Sequence, residues 1–377
     1  MNKKEVLEIK KQFTPEKCVI TRICGCYVDH EKNKKLESRN AFLSMPEEEA
    51  FKYYDIFRHT LSGTIGKNLL NLEVPLIQEA PGGTQEFLLR LRNSKLKDDQ
   101  LIDEFYDSVI EHYEYGENYY IILIHGAYDI PGRSTDGLEM EDASDEVYEH
   151  LLCSICPVKM SKSGLSYNPE RNSIEERIRD WIVDGPEKGF LFPAFSDRSS
   201  DIHNILYYSK KPEDLQPAFI EQVLGSAIPL SCVDQKETFH TIISETLGEE
   251  CDYTIVKNIH ENLNEMLEEN KDNPEPLELG KQDVKKLLEQ SGVPQEHMES
   301  FEEDYGQMVG EKNSLLAANI ADTKKFSIET PDISIKVNSD RTDMVETRMI
   351  DNRQYLVIAM EGNVEVNGVS VNTGRKI

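Results

Sequence analysis

Most of the features that announce a chemistry are missing from this chain. It has one tryptophan in 377 residues and no run near the roughly 18 apolar residues of a membrane-spanning helix, so no membrane is expected as a partner. None of the nine histidines sits in an H-E-x-x-H or other paired spacing, and G-x-S-x-G does not occur. The usual metalloprotease and α/β-hydrolase signatures are therefore absent. The opening Met1 to Glu8 lacks the apolar stretch of a secretory signal. Seven cysteines form an odd set without a regular framework, which fits a reducing, cytoplasmic compartment better than a disulfide scaffold. Gly63-Thr64-Ile65-Gly66-Lys67-Asn68 lacks both the spacing and the Ser/Thr of a phosphate loop. The acidic stretch 129–146 lacks the sixth-position glycine of an EF-hand, although weak cation binding there is chemically reasonable.

Basic clusters are scarce as well, and the scarcity is local. Residues 1–100 carry 17 Lys/Arg against 15 Asp/Glu, residues 101–150 carry 1 against 14, and residues 201–310 carry 8 against 24. The formal net charge of −28 is thus two acidic blocks rather than a uniform coat. Direct DNA binding is disfavoured, because capture of nucleic acid needs clustered cations to displace counterions. A basic protein surface is the favoured partner, and nucleoid proteins would qualify.

Hydrophobic patterning indicates an α+β protein. A short polar helix over Asn2 to about Phe13 precedes a strand at Val19–Tyr27, and Lys32–Asn40 reads as a basic exposed loop. Pro46 and Glu47–Glu49 suit a helix N-terminus, with Phe51, Tyr54, Phe57 and Leu61 on one face up to Gly63. Ile102, Phe105, Val109 and Tyr113 mark a second helix before the apolar run Tyr119–Ile124, a strand covered on both faces. Residues 129–146 read as a long acidic loop. Residues 147–211 look mostly extended, with Phe190–Phe195 and Asn204–Tyr208 the clearest strands. Helices follow at 219–225 and at 234–248, where Asp234 and Glu237 have capping-box spacing. Ile259, Leu263, Met266 and Leu267 mark another.

Prolines 274 and 276 make 271–280 the best linker, so residues 1–270 are expected to form a larger mixed domain. Residues 281–322 hold a helical pair, whose Glu296, Glu299, Glu302, Glu303 and Asp304 would repel phosphate. Residues 323–377 form a small β module. Asn367-Gly368 between alternating valines is the strongest hairpin signal.

Two constellations could carry chemistry. Cys24-Gly25-Cys26 and Cys153-Ser154-Ile155-Cys156 could together hold zinc if two loops converged, although strand context favours packing. Asp197, Arg198, Asp201 and His203 gather in a probable inter-strand loop, with Asp197, Asp201 and His203 as general acid–base candidates and Arg198 as an anion ligand. An exposed, salt-bridged turn would use the same residues.

Met1 to Pro15, Cys24 to Asp29, Leu61 to Leu70, Cys153 to Pro157 and Val345 to Arg348 together resemble an uncharacterised bacterial family, known as a domain of unknown function and common in anaerobic Gram-positive bacteria. The resemblance spans nearly the whole chain, implies a cytoplasmic bacterial protein, and carries over no catalytic residue. Phe219–Gly225 with Asp234–Phe239, and Lys325–Val337, are more weakly similar to bacterial nucleoid-associated proteins, with Ser226 where that pattern has a cysteine. The leading expectation is a non-enzymatic interaction or regulatory protein. The rival is an enzyme acting on a small phosphorylated or nucleotide-like substrate through the 197–203 loop, with or without a Cys-bound metal.

Overall fold

The structure, a computed structural model, describes residues 1–133, 139–310, 313–360, 362 and 364–371. It is mixed α+β and divides into two compact units, the first ending at Asp234 and the second beginning at Gln235.

The first unit opens with α1 (Lys3–Lys10). Asn2 caps it by accepting from the amides of Lys4 and Glu5, and the Glu5 carboxylate returns the bond to the Asn2 amide at 2.7 Å. Strands β1 (Ile20–Val28) and β2 (Lys34–Ala41) precede α2 (Glu47–Thr60), β3 (Leu69–Glu73), α3 (Thr84–Asn93) and α4 (Asp99–His112). Asp98 caps α4 through the amides of Gln100 and Leu101. A long hairpin follows from β4 (Tyr119–Arg133) and β5 (Glu139–Met160). Then come β6 (Leu165–Asn168), β7 (Ser173–Glu176), β8 (Trp181–Val183), β9 (Lys188–Phe192), β10 (Ala194–Ser196), β11 (Ser199–Asp201), β12 (Asn204–Ser209) and α5 (Pro217–Gln222).

Eight strands form one antiparallel sheet in the order β2-β1-β4-β5-β9-β12-β3, with β8 added to the far end of β5. Both faces are covered. Ile121 and Leu123 of β4 pack with α3, α4 and α5, while Ile122 and Ile124 pack with α1 and α2. This explains why Tyr119–Ile124 reads as a continuous apolar run instead of an alternating one.

Three local expectations are corrected. Lys32–Asn40 is mostly the edge strand β2, paired residue by residue with β1 (Cys24 opposite Arg39, Cys26 opposite Glu37). Its cations meet the acidic face of α4, with Lys34 2.6 Å from Asp107 and Arg39 2.8 Å from Asp99, and charged side chains are a common guard on an exposed edge. The acidic stretch 129–146 is largely the extension of β4 and β5, and only residues 134–138 of that expected loop lie outside the described residues. The capping box near residue 234 sits three residues earlier. Ser231 Oγ accepts from the Asp234 amide at 3.1 Å and Asp234 Oδ2 accepts from the Ser231 amide at 3.2 Å, so the helix begins before Asp234.

That helix is α6 (Cys232–Leu247), and the boundary between units falls within its first turn. The second unit continues with α7 (Tyr253–Glu269), β13 (Glu278–Leu279), α8 (Lys281–Gln290), α9 (Met298–Met308), β14 (Leu315–Leu316) and α10 (Ala317–Ile320). Its core is built from Phe239, Ile242, Leu263, Leu287, Phe301 and Tyr305. The segment expected as a linker lies between α7 and α8, and Leu279 at its end pairs with Leu315. Among the described residues three two-stranded hairpins follow: β15 (Lys325–Glu329) with β16 (Ser334–Asn338), β17 (Val345–Ile350) with β18 (Arg353–Ile358), and β19 (Val364–Val366) with β20 (Val369–Val371). Asn367 and Gly368 both have positive φ (50° and 79°), as the valine-flanked turn requires.

Candidate functional site

The four cysteines are strand residues that the sheet holds apart. Cys24 lies opposite Leu123, which lies opposite Cys153, so two strand spacings, about 10 Å, separate these thiols. Thiolates sharing a zinc at about 2.3 Å each must lie far closer. Cys156 points to the other face, into the core of α1 and α2, whereas Cys24, Cys26 and Cys153 face α3, α4 and α5. Burial pushes the Cys26 thiol up to about 12 and raises those of Cys24, Cys153 and Cys156, so these groups are protonated and inert at neutral pH. Among the described residues the one cluster with metal-ligand spacing is elsewhere. It is Glu250, Glu296 and His297 of the second unit, with both carboxylates exposed and His297 Nε2 3.0 Å from Glu250.

The Asp197–His203 segment is a tight hairpin. Asp197 and Arg198 are its two turn residues, both with positive φ (48° and 60°), joining β10 to β11. The acid–base candidates do not converge. Asp201 accepts from the His203 amide at 3.1 Å and from Asn204 Nδ2 at 2.8 Å, tying its carboxylate to its own loop. The His203 imidazole turns instead to Glu79, 3.3 Å away. Asp197 donates its amide to Glu5 Oε1 at 2.9 Å, fastening the turn to α1.

Arg198 is the candidate that reaches a cavity. An open cleft of about 650 Å³ lies between α1, residues 16–19 and the end of β4. Arg198 donates to two groups in its wall, Glu8 Oε1 at 3.3 Å and the Pro131 carbonyl at 2.6 Å. Tyr128 also donates to Glu8 Oε1, at 3.0 Å. Lys4, Lys11 and Lys17 line the same cleft, as do Glu16 and Asp129. Lys4, Glu8 and Lys11 follow the i, i+4, i+7 spacing that places side chains on one helix face, a signal present in the sequence but not read as a site.

A second cluster has no sequence signature. His125 and His150 are fully buried, on adjacent strands and opposite faces of the sheet. Thr21 occupies a β-bulge in β1, between the pairs Ile20–Gly126 and Arg22–His125. The irregularity aims its hydroxyl at His125, 2.7 Å from Nδ1 and 3.1 Å from the backbone oxygen. Burial pulls His125 down to about 4, while the Glu149 carboxylate, 3.9 Å from Nε2, pulls the other way. Lys95 holds Glu149 at 2.7 Å. His150 stacks on Tyr148 with ring centres 4.8 Å apart, and neither of its ring nitrogens has a hydrogen-bond partner among the described residues. Burial pulls it down to about 3. It covers Gly126, where an added Cβ would lie 2.5 Å from the ring. The pairing of β4 with both β1 and β5 brings these residues together, so their spacing in the chain shows nothing.

The fold and its clefts thus define a two-unit α+β protein built on a covered antiparallel sheet. The chain belongs to the family described as Domain of unknown function (DUF4317), which matches residues 1–369. No curated protein matches it.

Proposed function

We propose that the protein acts by binding other proteins, docking through the arm formed by residues 160–184. The observation that carries this reading is the exposed apolar surface of that arm. Trp181, the single tryptophan, is 55% exposed beside Ile182 and Val183 on β8. Leu165, Tyr167, Ile174 and Ile178 are exposed around the β6–β7 hairpin. A two-stranded hairpin has little stability of its own in water, and exposed aromatic, aliphatic and arginine side chains are what interface centres use. Arg171, Arg177 and Arg179 belong to the same segment, and Arg179 is fixed at its base by the Ser161 carbonyl, 3.1 Å from Nε.

The acidic blocks supply the second half of the reading. They would steer a partner with a basic surface, a nucleoid protein included, and repel bare DNA. Tagged wild type and a Trp181→Ser/Tyr167→Ser double variant, each cross-linked in native cells and recovered with and without nuclease, test it. The expected result is a stoichiometric, nuclease-resistant partner cross-linked to residues 160–184 and lost in the variant. Identical recoveries from the two proteins would overturn the docking role of the arm.

A further inference from the structure

We infer that the cleft beside α1 is a binding site for a small phosphate-bearing anion, with Lys4, Lys11 and Lys17 as its cationic contacts and Arg198 as a positioning residue. This goes beyond the docking role of the arm and does not rest on it. The argument is one of charge and space. In a chain of net charge −28, this cleft brings three lysines together and matches them with three carboxylates, so its lining is balanced before Arg198 is counted. Among the described residues none of the three ammonium groups has a carboxylate within ion-pair distance, although Glu8, Glu16 and Asp129 line the same walls.

Arg198 tips the balance. By binding Glu8 Oε1 at 3.3 Å, with Tyr128 donating to the same oxygen, it cancels one of the three carboxylates. The lining then holds more positive than negative charge. A volume of about 650 Å³ is in the range of small-molecule sites. The remaining carboxylates, Glu16 and Asp129, can accept from hydroxyl or amino groups of the ligand, which favours a phosphate ester over a bare inorganic ion.

On this account the sequence-predicted role of Arg198 changes. Its guanidinium donates to Glu8 and to the Pro131 carbonyl, so it acts through Glu8 instead of gripping the ligand. The two roles make different predictions. If Arg198 works by cancelling Glu8, Arg198→Ala weakens binding and Arg198→Ala/Glu8→Gln restores it. If Arg198 holds the anion directly, the double variant stays weak.

Calorimetric titration of the full chain with inorganic phosphate, pyrophosphate and adenosine monophosphate is the test, at fixed ionic strength. The expected result is saturable one-to-one binding of at least one probe. Lys4→Gln/Lys11→Gln/Lys17→Gln should reduce it about tenfold or more. Arg198→Ala should weaken it by several-fold, and the Glu8→Gln companion should bring it back to within about twofold of wild type. The substituted lysines are exposed, and circular dichroism confirms that each variant is folded. No saturable binding of any probe, or a triple variant that binds like wild type, would overturn the proposal. Binding confined to phosphatidylglycerol vesicles, with none to the free anions, would overturn it as well. A double variant as weak as Arg198→Ala would overturn the positioning role.

Discussion

The two buried histidines make the stability of the first unit sensitive to mild acid, by an amount that can be worked out. In the unfolded chain a histidine titrates near 6.5, whereas burial holds His125 down to about 4 and His150 down to about 3. The folded unit therefore keeps both rings neutral while the unfolded chain takes up protons as pH falls. For a depressed histidine the stabilising contribution is complete above about pH 6.5 and is lost on acidification towards the folded value. Between pH 7.5 and 5.5 each ring costs about 1.4 kcal/mol, so the pair costs about 2.7 kcal/mol, a large share of a typical 5–15 kcal/mol. The perturbation is His150→Phe. Among the described residues neither ring nitrogen of His150 has a side-chain hydrogen-bond partner, so a phenyl ring stacked on Tyr148 keeps the stacking contact and breaks no side-chain bond. Urea unfolding followed by fluorescence of Trp181, which belongs to the first unit, reads that unit separately from His240 and His260 of the second. Wild type should lose about 2.7 kcal/mol over this range and His150→Phe about 1.4. If the two proteins lost stability in parallel, His150 would be protonated in the folded unit and the argument would fail.

Gly126→Ala places a methyl group 2.5 Å from the His150 ring, which is buried and cannot retreat, so a loss of about 1–3 kcal/mol is expected in thermal unfolding. An unchanged midpoint would mean that the ring has room to move. Iodoacetamide on the native protein, read by peptide mass spectrometry, should modify exposed Cys251, then half-buried Cys18 and Cys232, and spare Cys24, Cys26, Cys153 and Cys156. Early labelling of any of the last four would contradict their placement in the sheet. Lys188 is buried, and its ammonium donates to Ser209 Oγ (3.0 Å), the Asp214 carbonyl (2.6 Å) and Asp214 Oδ2 (3.0 Å). Lys188→Met removes that donor from the half-buried Asp214 carbonyl, which still accepts from Ser209 Oγ at 2.8 Å, and should cost about 1 kcal/mol, measured by denaturant titration.

Much of the fold was legible because local rules agree with the tertiary outcome. The run Tyr119–Ile124 and the turn Asn367-Gly368 reappear where patterning put them, and Tyr54, Phe57 and Leu61 of the face expected for α2 are buried while Phe51 is exposed. Failures came where a partner distant in sequence decides the local state. Lys34 and Arg39 advertise a solvated loop until β1 supplies backbone partners and α4 supplies Asp99, Asp103 and Asp107. Asp129–Glu146 advertises an acidic loop because the ladder between β4 and β5 is invisible to composition. The Asp197-Arg198 turn falls in the segment expected as an inter-strand loop, and its tight form also depends on a distant partner. Both residues adopt positive φ without the Asn-Gly signature, held by Glu5 and Glu8 of a helix almost 200 residues earlier.

The same cause separates side chains that lie close together in the sequence. A cluster of Asp, Arg and His within seven residues suggests an acid–base site only if those side chains face one another. Asp201 is instead absorbed by the Asn204 side chain and the His203 amide, and Arg198 by Glu8. Of these groups, Arg198 and the Asp197 amide fasten the hairpin to α1, Asp201 ties the loop to itself, and His203 turns to Glu79. What remains unspent is on the other side of that contact, where Lys4 and Lys11 flank Glu8 along a single helix face. Local grouping thus identified the support of the cleft, and helical periodicity identifies its lining.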